Sequence, residues 1–133
     1  MSANQIPRPP LTTRVKLTLH TDKRFFGPGI CELLERIRKT GSIKAAAAEM
    51  EMSYTKAWRI LNRAEQELGF DLIARTSGGR NGGNSQLTEA GEKAVTDYRR
   101  MEARLAEFAD RLLKTCEPSF MPEDCRAVQD QQM

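Results

Sequence analysis

Residues 40–70 read TGSIKAAAAEMEMSYTKAWRILNRAEQELGF. Ser42 is a good N-cap, because its side-chain oxygen can accept from an orphan backbone N–H, and Gly41 before it suits a turn. Ile43, Ala46, Ala47 and Met50 follow at spacings of three and four and share one helical face. The four alanines Ala45 to Ala48 favour helix and leave little bulk, so a second helix can approach closely. Glu51 and Met52 break the phase, and Met52 is read as the apolar residue that plugs the turn. A second helix then starts at a second cap, Ser53. Tyr54, Ala57, Trp58, Leu61, Ala64 and Leu68 form its apolar stripe, and Gly69 ends it. Two short helices with a tight turn between them are the layout of a helix-turn-helix, in which the second helix enters the DNA major groove.

The other face of the second helix carries Ser53, Lys56, Arg59, Asn62, Arg63 and Gln66. Residues near the start of such a helix meet base edges, and flanking cations meet phosphates. The candidate groove-facing set is therefore Ser53, Tyr54, Lys56 and Arg59, with Arg63 beside it. The plainer reading is a solvated charged face on a core helix. The residues beyond Gly69 argue against it. Residues 71–75 read as a short strand, 77–85 as the Gly-rich loop SGGRNGGNS, and 86–88 as a return strand. That is a β-hairpin wing. Arg75, Arg80, Asn81 and Asn84 are its candidates for phosphate or minor-groove contact. A nucleotide-cradling loop would need GK[ST] and a following βα unit, and neither is present.

Upstream, residues 1–13 are polar and Pro-rich and are expected to form a disordered arm. Arg14 to His20 alternate apolar and polar residues, which predicts a half-buried strand. FFGPG at 25–29 predicts a turn into a helix with Pro28 near its first position, ending near Thr40–Gly41. Downstream, Thr88 is placed to cap a long helix with Glu89 and Glu92 in its first turn. Ala94, Tyr98, Met101, Leu105, Phe108 and Leu112 recur every three and four residues, a heptad pattern. At ~40 Å the predicted helix exceeds what one small domain needs. A homodimer through this helix is expected, with two half-sites on DNA following from two-fold symmetry.

Composition narrows the classes. At 133 residues the chain is one domain with tails, and 39% hydrophobic content allows a modest core. No apolar run is long enough for a membrane span, and MSANQIPRPPLTTR has no secretory apolar region, so a cytoplasmic location is expected with no membrane partner. The net charge is only +3, but residues 1–24 carry +4, residues 53–87 carry +2 and residues 117–133 carry −3. The basic excess lies where DNA would lie. Cys31, Cys116 and Cys125 form no close pair, which suits a reducing compartment; Cys31 reads as a core residue. His20 is the sole histidine, so neither a metal site nor a His-based catalytic pair has partners. No enzyme activity and no cofactor are expected.

The stretch from GPG through LLERIRKTGSIKAAAAEMEMSYTKAWRILNRAEQELGFDLIART to GGRNGGNSQLTEAGE resembles the N-terminal DNA-binding domain of ModE-type, molybdate-responsive regulators. It is similar, more loosely, to LysR-type regulators over SIKAAAAEMEMSYTKAWRILNRAEQELGFDLIAR and LTEAG. The likeness covers roughly residues 14–115, and the double-glycine wing favours the ModE type. It implies a mainly α fold with a small β wing: a winged helix-turn-helix plus a long C-terminal dimerisation helix. It implies a transcriptional regulator that binds palindromic operators as a homodimer, with 54–63 facing the major groove and the wing on the backbone. Regulators of this type also carry β-rich molybdate-binding domains with an SxRN-type motif, which this sequence lacks. A stand-alone DNA-binding protein with no bound molybdate is therefore expected. The expected organisation is an arm over 1–13, the winged domain over 14–87, the dimerisation helix over 88–116 and an acidic disordered tail over 117–133. A protein–protein adaptor built on the same winged-helix fold is the rival, although an adaptor has no need of the basic face Lys56–Arg59–Arg63.

Overall fold

The structure is a computed structural model that describes residues 10–74 and 84–115. It divides into two compact units, one of them residues 16–102 and the other built from the segments on either side.

Residues 16–102 open with a two-stranded antiparallel hairpin, β1 (Leu19–His20) and β2 (Arg24–Phe26), with an irregularity in its register. The strand predicted over Arg14 to His20 is thus confined to its last two residues. Its partner is only three residues long, and alternation upstream of it has no ladder to join. The predicted turn at 25–29 is corrected too: Phe25 and Phe26 belong to β2, and the turn proper is Gly27.

Helix α1 (Pro28–Thr40) starts on Pro28, whose missing N–H costs nothing at a helix start. It buries Ile30, Cys31, Leu33, Leu34 and Ile37, and ends where Gly41 takes φ 73° and donates its N–H to Ile37 O at 2.7 Å. Helix α2 (Ile43–Glu49) is capped by Ser42 Oγ, which accepts from the Ala45 N–H at 3.0 Å. Ala46 and Ala47 are buried, so α2 lies close against its neighbours through methyl groups. The turn passes through Glu51 at φ 57°, a left-handed conformation uncommon outside glycine. Met52 packs against the core just after it, as expected of the turn residue. Helix α3 (Tyr54–Leu68) is capped by Ser53 Oγ, accepting from the Lys56 N–H at 3.0 Å, and closed by Gly69 at φ 83°.

Strands β3 (Ile73–Ala74) and β4 (Gln86–Leu87) then pair antiparallel, Ile73 opposite Leu87. This is the root of the wing; the predicted wing residues Arg75, Arg80 and Asn81 lie outside the described residues. Helix α4 (Glu89–Thr115) follows, and Thr88 serves both elements. Its Oγ1 accepts from the Gly91 N–H at 2.8 Å, its hydroxyl donates to Asp71 O, and its N–H donates to Leu72 O at 2.9 Å. Val95 and Tyr98 of α4 join one core with Phe26, Leu33, Leu34, Ile37, Leu61 and Leu72. The Tyr98 ring lies 5.3 Å from that of Phe26, and its hydroxyl donates to Leu17 O at 2.8 Å.

In the other unit, residues 103–115 complete α4. Leu105, Phe108 and Leu112 are exposed there, by 37, 55 and 43%. Among the described residues, no helix is long and apolar enough to cross a membrane.

Candidate nucleic-acid interface

The outward face of α3 is set by its inward one. Ala57, Leu61 and Ala64 are buried, and Leu68 is half-buried beside them. On a 3.6-residue helix the opposite face is then Thr55, Arg59, Asn62 and Gln66. These four, with Trp58 and Arg63, line an open groove of about 560 Å³ running along the helix. Lys56 stands to one side of it, and Ser53 and Tyr54 at its N-terminal end.

The individual candidates have different situations. The Ser53 hydroxyl oxygen is engaged as the helix cap. Tyr54, predicted in the apolar stripe, is a correction: it is 45% exposed, because the first residue of α3 lies beyond the edge of the core. Its ring meets Trp58 edge-on, with centroids 6.2 Å apart. Lys56 and Arg59 are exposed and Arg63 is half-buried. Asn84 is exposed at the foot of the wing. Helix α3 thus brings together Ser53, Tyr54, Lys56, Arg59 and Arg63.

Ion pairing engages both arginines of α1 and most of those of α4, whereas Lys39, Lys44, Lys93 and Arg104 meet no carboxylate among the described residues. Arg36 and Arg38 of α1, and Arg99, Arg100 and Arg111 of α4, each have a carboxylate within 3.9 Å. Lys56, Arg59 and Arg63 meet none among the described residues. Lys56, Arg59 and Arg63 give this side of α3 a local excess of positive charge. Among the described residues no group of His, Cys, Asp and Glu is arranged to hold a metal ion.

Two features are not evident from the sequence. Thr55 lies in the middle of the outward face but carries no charge, so a search for basic residues passes over it. Glu65 reads in the sequence as one more surface acid, yet it is only 8% exposed. Its Oε2 accepts from the backbone N–H groups of Leu72 and Ile73 at 2.8 and 3.1 Å. The available signal is position: residue 65 adjoins the apolar residues 61, 64 and 68 on the inward side of the helix.

Residues 31–92 match the family described as bacterial regulatory helix-turn-helix protein, lysR family. The molybdenum transport protein ModE of Herbaspirillum seropedicae is 36% identical over 101 residues, which cover 76% of this chain and 36% of that protein. The transcriptional regulator ModE of Yersinia pestis is 30% identical over 115 residues, 86% of this chain and 42% of that one. The DNA-binding transcriptional dual regulator ModE of Escherichia coli K12 is 32% identical over 89 residues, 66% of this chain and 34% of that one. The match thus spans well under half the length of these relatives. Among solved structures, that of a CbnR_DBD–DNA complex has the same fold, with a TM-score of 0.50 at 24% identity, covering 62% of this chain and 90% of that one.

Proposed function

We propose, from the premise that residues 31–92 are a LysR-type helix-turn-helix domain homologous to ModE regulators, that this chain is a sequence-specific DNA-binding transcriptional regulator. It binds duplex DNA through α3, and as a homodimer it takes a palindromic operator. The observation that carries the reading is the exposed side of α3, where Arg59 on the outward face and Lys56 and Arg63 beside it meet no carboxylate among the described residues. The relative from Escherichia coli K12 is named as DNA-binding and as a transcriptional regulator, which supports the same reading.

The mechanism follows from the helix. Arg59 lies centrally on the outward face, where a guanidinium reaches the O6 and N7 of a guanine. Lys56 and Arg63 flank it at phosphate positions, and contacts with the adjacent backbone are assigned to Arg75, Arg80, Asn81 and Asn84 of the wing sequence. Two copies place their α3 helices in successive major grooves about 34 Å apart.

Selection of random-sequence duplexes with the purified protein, followed by sequencing, tests the proposal. A palindrome with half-sites about one helical turn apart is the expected product. Replacing Arg59 with Ala is expected to cost about 1–3 kcal/mol on that palindrome and to relax the preference at one base pair. Selection without enrichment would reduce the protein to a non-specific binder, and absence of binding would favour an adaptor.

A further inference from the structure

A second groove, of about 430 Å³, runs beside α3 on the side of the β1–β2 hairpin. Lys16, Arg24, Lys56 and Arg63 line it, over a floor that includes Phe25 and Ile60, and no carboxylate is among its lining residues. Lys16, Arg24 and Lys56 are exposed. Four cations converge from three parts of the chain: the segment before β1, strand β2 and helix α3. Like charges gathered in this way repel one another unless an anion joins them. The N-terminus of α1 also opens onto the groove through Pro28 and Gly29. Gly27, its N-cap residue, has no side chain with which to satisfy the first N–H groups.

We infer that this groove is a sequence-independent track for one strand of the DNA backbone, in which Lys16 and Arg24 hold phosphates beside those held by Lys56 and Arg63. The inference rests on the proposed DNA binding and adds two residues, outside the helix-turn-helix itself, to its contact surface. Arg63 lines both grooves, with Lys56 in this one and Arg59 in the first, so a single duplex lying along α3 reaches both. The C–H faces of deoxyribose suit the apolar floor, and the phosphates suit its rim. An acidic peptide would match the charge but would have no reason to use the flank of the helix that carries Arg59.

The test is the salt dependence of binding by the full chain, on a random-sequence duplex and on the selected palindrome. Each phosphate contact contributes about 0.9 to the slope of log K against log salt. The double variant Lys16→Gln/Arg24→Gln is therefore expected to show a slope shallower by roughly 1.8, equally on both duplexes, with its melting temperature unchanged. The charge-conserving pair Lys16→Arg/Arg24→Lys is expected to keep the slope of the parent. An unchanged slope in the Gln variant overturns the inference, as does a loss confined to the palindrome. Either result leaves the proposed function standing, provided that Arg59→Ala still weakens palindrome binding. Failure of the parent protein to bind any duplex overturns both.

Discussion

Glu65 shows how one side chain fixes the start of the wing. After Gly69 the chain enters β3, and the N–H groups of Leu72 and Ile73 lie in the core beside Glu65. The Glu65 carboxylate takes both, at 2.8 and 3.1 Å. A buried carboxylate is costly by itself, but two N–H donors on one oxygen offset much of that cost. Glu65→Ala leaves two buried donors unsatisfied and is expected to destabilise the domain by about 2–4 kcal/mol. Glu65→Gln keeps an acceptor without the charge and is expected to lose roughly 1 kcal/mol. Urea midpoints of the three proteins measure both, and three equal midpoints would remove the role assigned here. Gly91 guards the same junction from the other side. A Cβ there would run into Leu72 O, so α4 comes this close to the residue that leads into β3 only because residue 91 has no side chain.

Between elements, the join of α1 to α4 is electrostatic at its edge. Arg99 donates to both oxygens of Glu35, at 3.1 and 2.6 Å, and to Glu102 at 2.7 Å. The hydrogen bonds from Arg99 hold the Glu35 carboxyl below its ordinary value of 4.5, against the opposing effect of burial. A depressed carboxylate contributes stability above its unfolded value and loses that contribution as pH falls through the folded one. Stability is therefore expected to fall below about pH 4.5, and more steeply in the parent than in Glu35→Gln, as thermal melts across acid pH would record. Burial pushes the Tyr98 phenol the other way, up to about 12 from 10.0. Its contribution is complete below pH 10 and disappears between 10 and 12, so Tyr98→Phe should flatten the alkaline limb. Parallel limbs in parent and variants would refute both assignments. These elements are legible in the sequence to different degrees. The helices are, because Ser42, Ser53 and Thr88 cap and Gly41 and Gly69 terminate, and such signals are local. The β1–β2 hairpin is not, since alternation tells which face is buried and not where a partner strand lies. Of the site, the basic residues of α3 can be read from helical phase. Thr55 has no charge to mark it, and the partners of Glu65 are set only by tertiary structure.

At the scale of the whole molecule, the proposed dimer is the step from a DNA-contacting helix to a palindrome. Leu105, Phe108 and Leu112 follow one another at spacings of three and four along the last part of α4, and all three are exposed. Burying such a side chain fully contributes about 1.5–3 kcal/mol. Being only 37–55% exposed, six of them, three from each copy, contribute about half of that each, roughly 4–9 kcal/mol in all, which is within the range of the ~4–15 kcal/mol association cost. The charges alongside do not supply this. Arg111–Glu107 at 3.6 Å and Lys114–Asp110 at 3.1 Å are exposed pairs one turn apart, worth about 0.3–0.5 kcal/mol each to the helix. Association is thus assigned to the apolar stripe. The double variant Leu105→Asp/Phe108→Asp is expected to sediment as a monomer while its circular dichroism keeps the helical signal of the parent. On DNA it should bind a single half-site as the parent's monomer would, and lose the added affinity that the second half-site confers. A variant that remains dimeric would move the interface elsewhere on the chain. A parent that is itself monomeric and selects no palindrome would leave α3 as a reader of single sites, with the two-fold operator removed from the proposal.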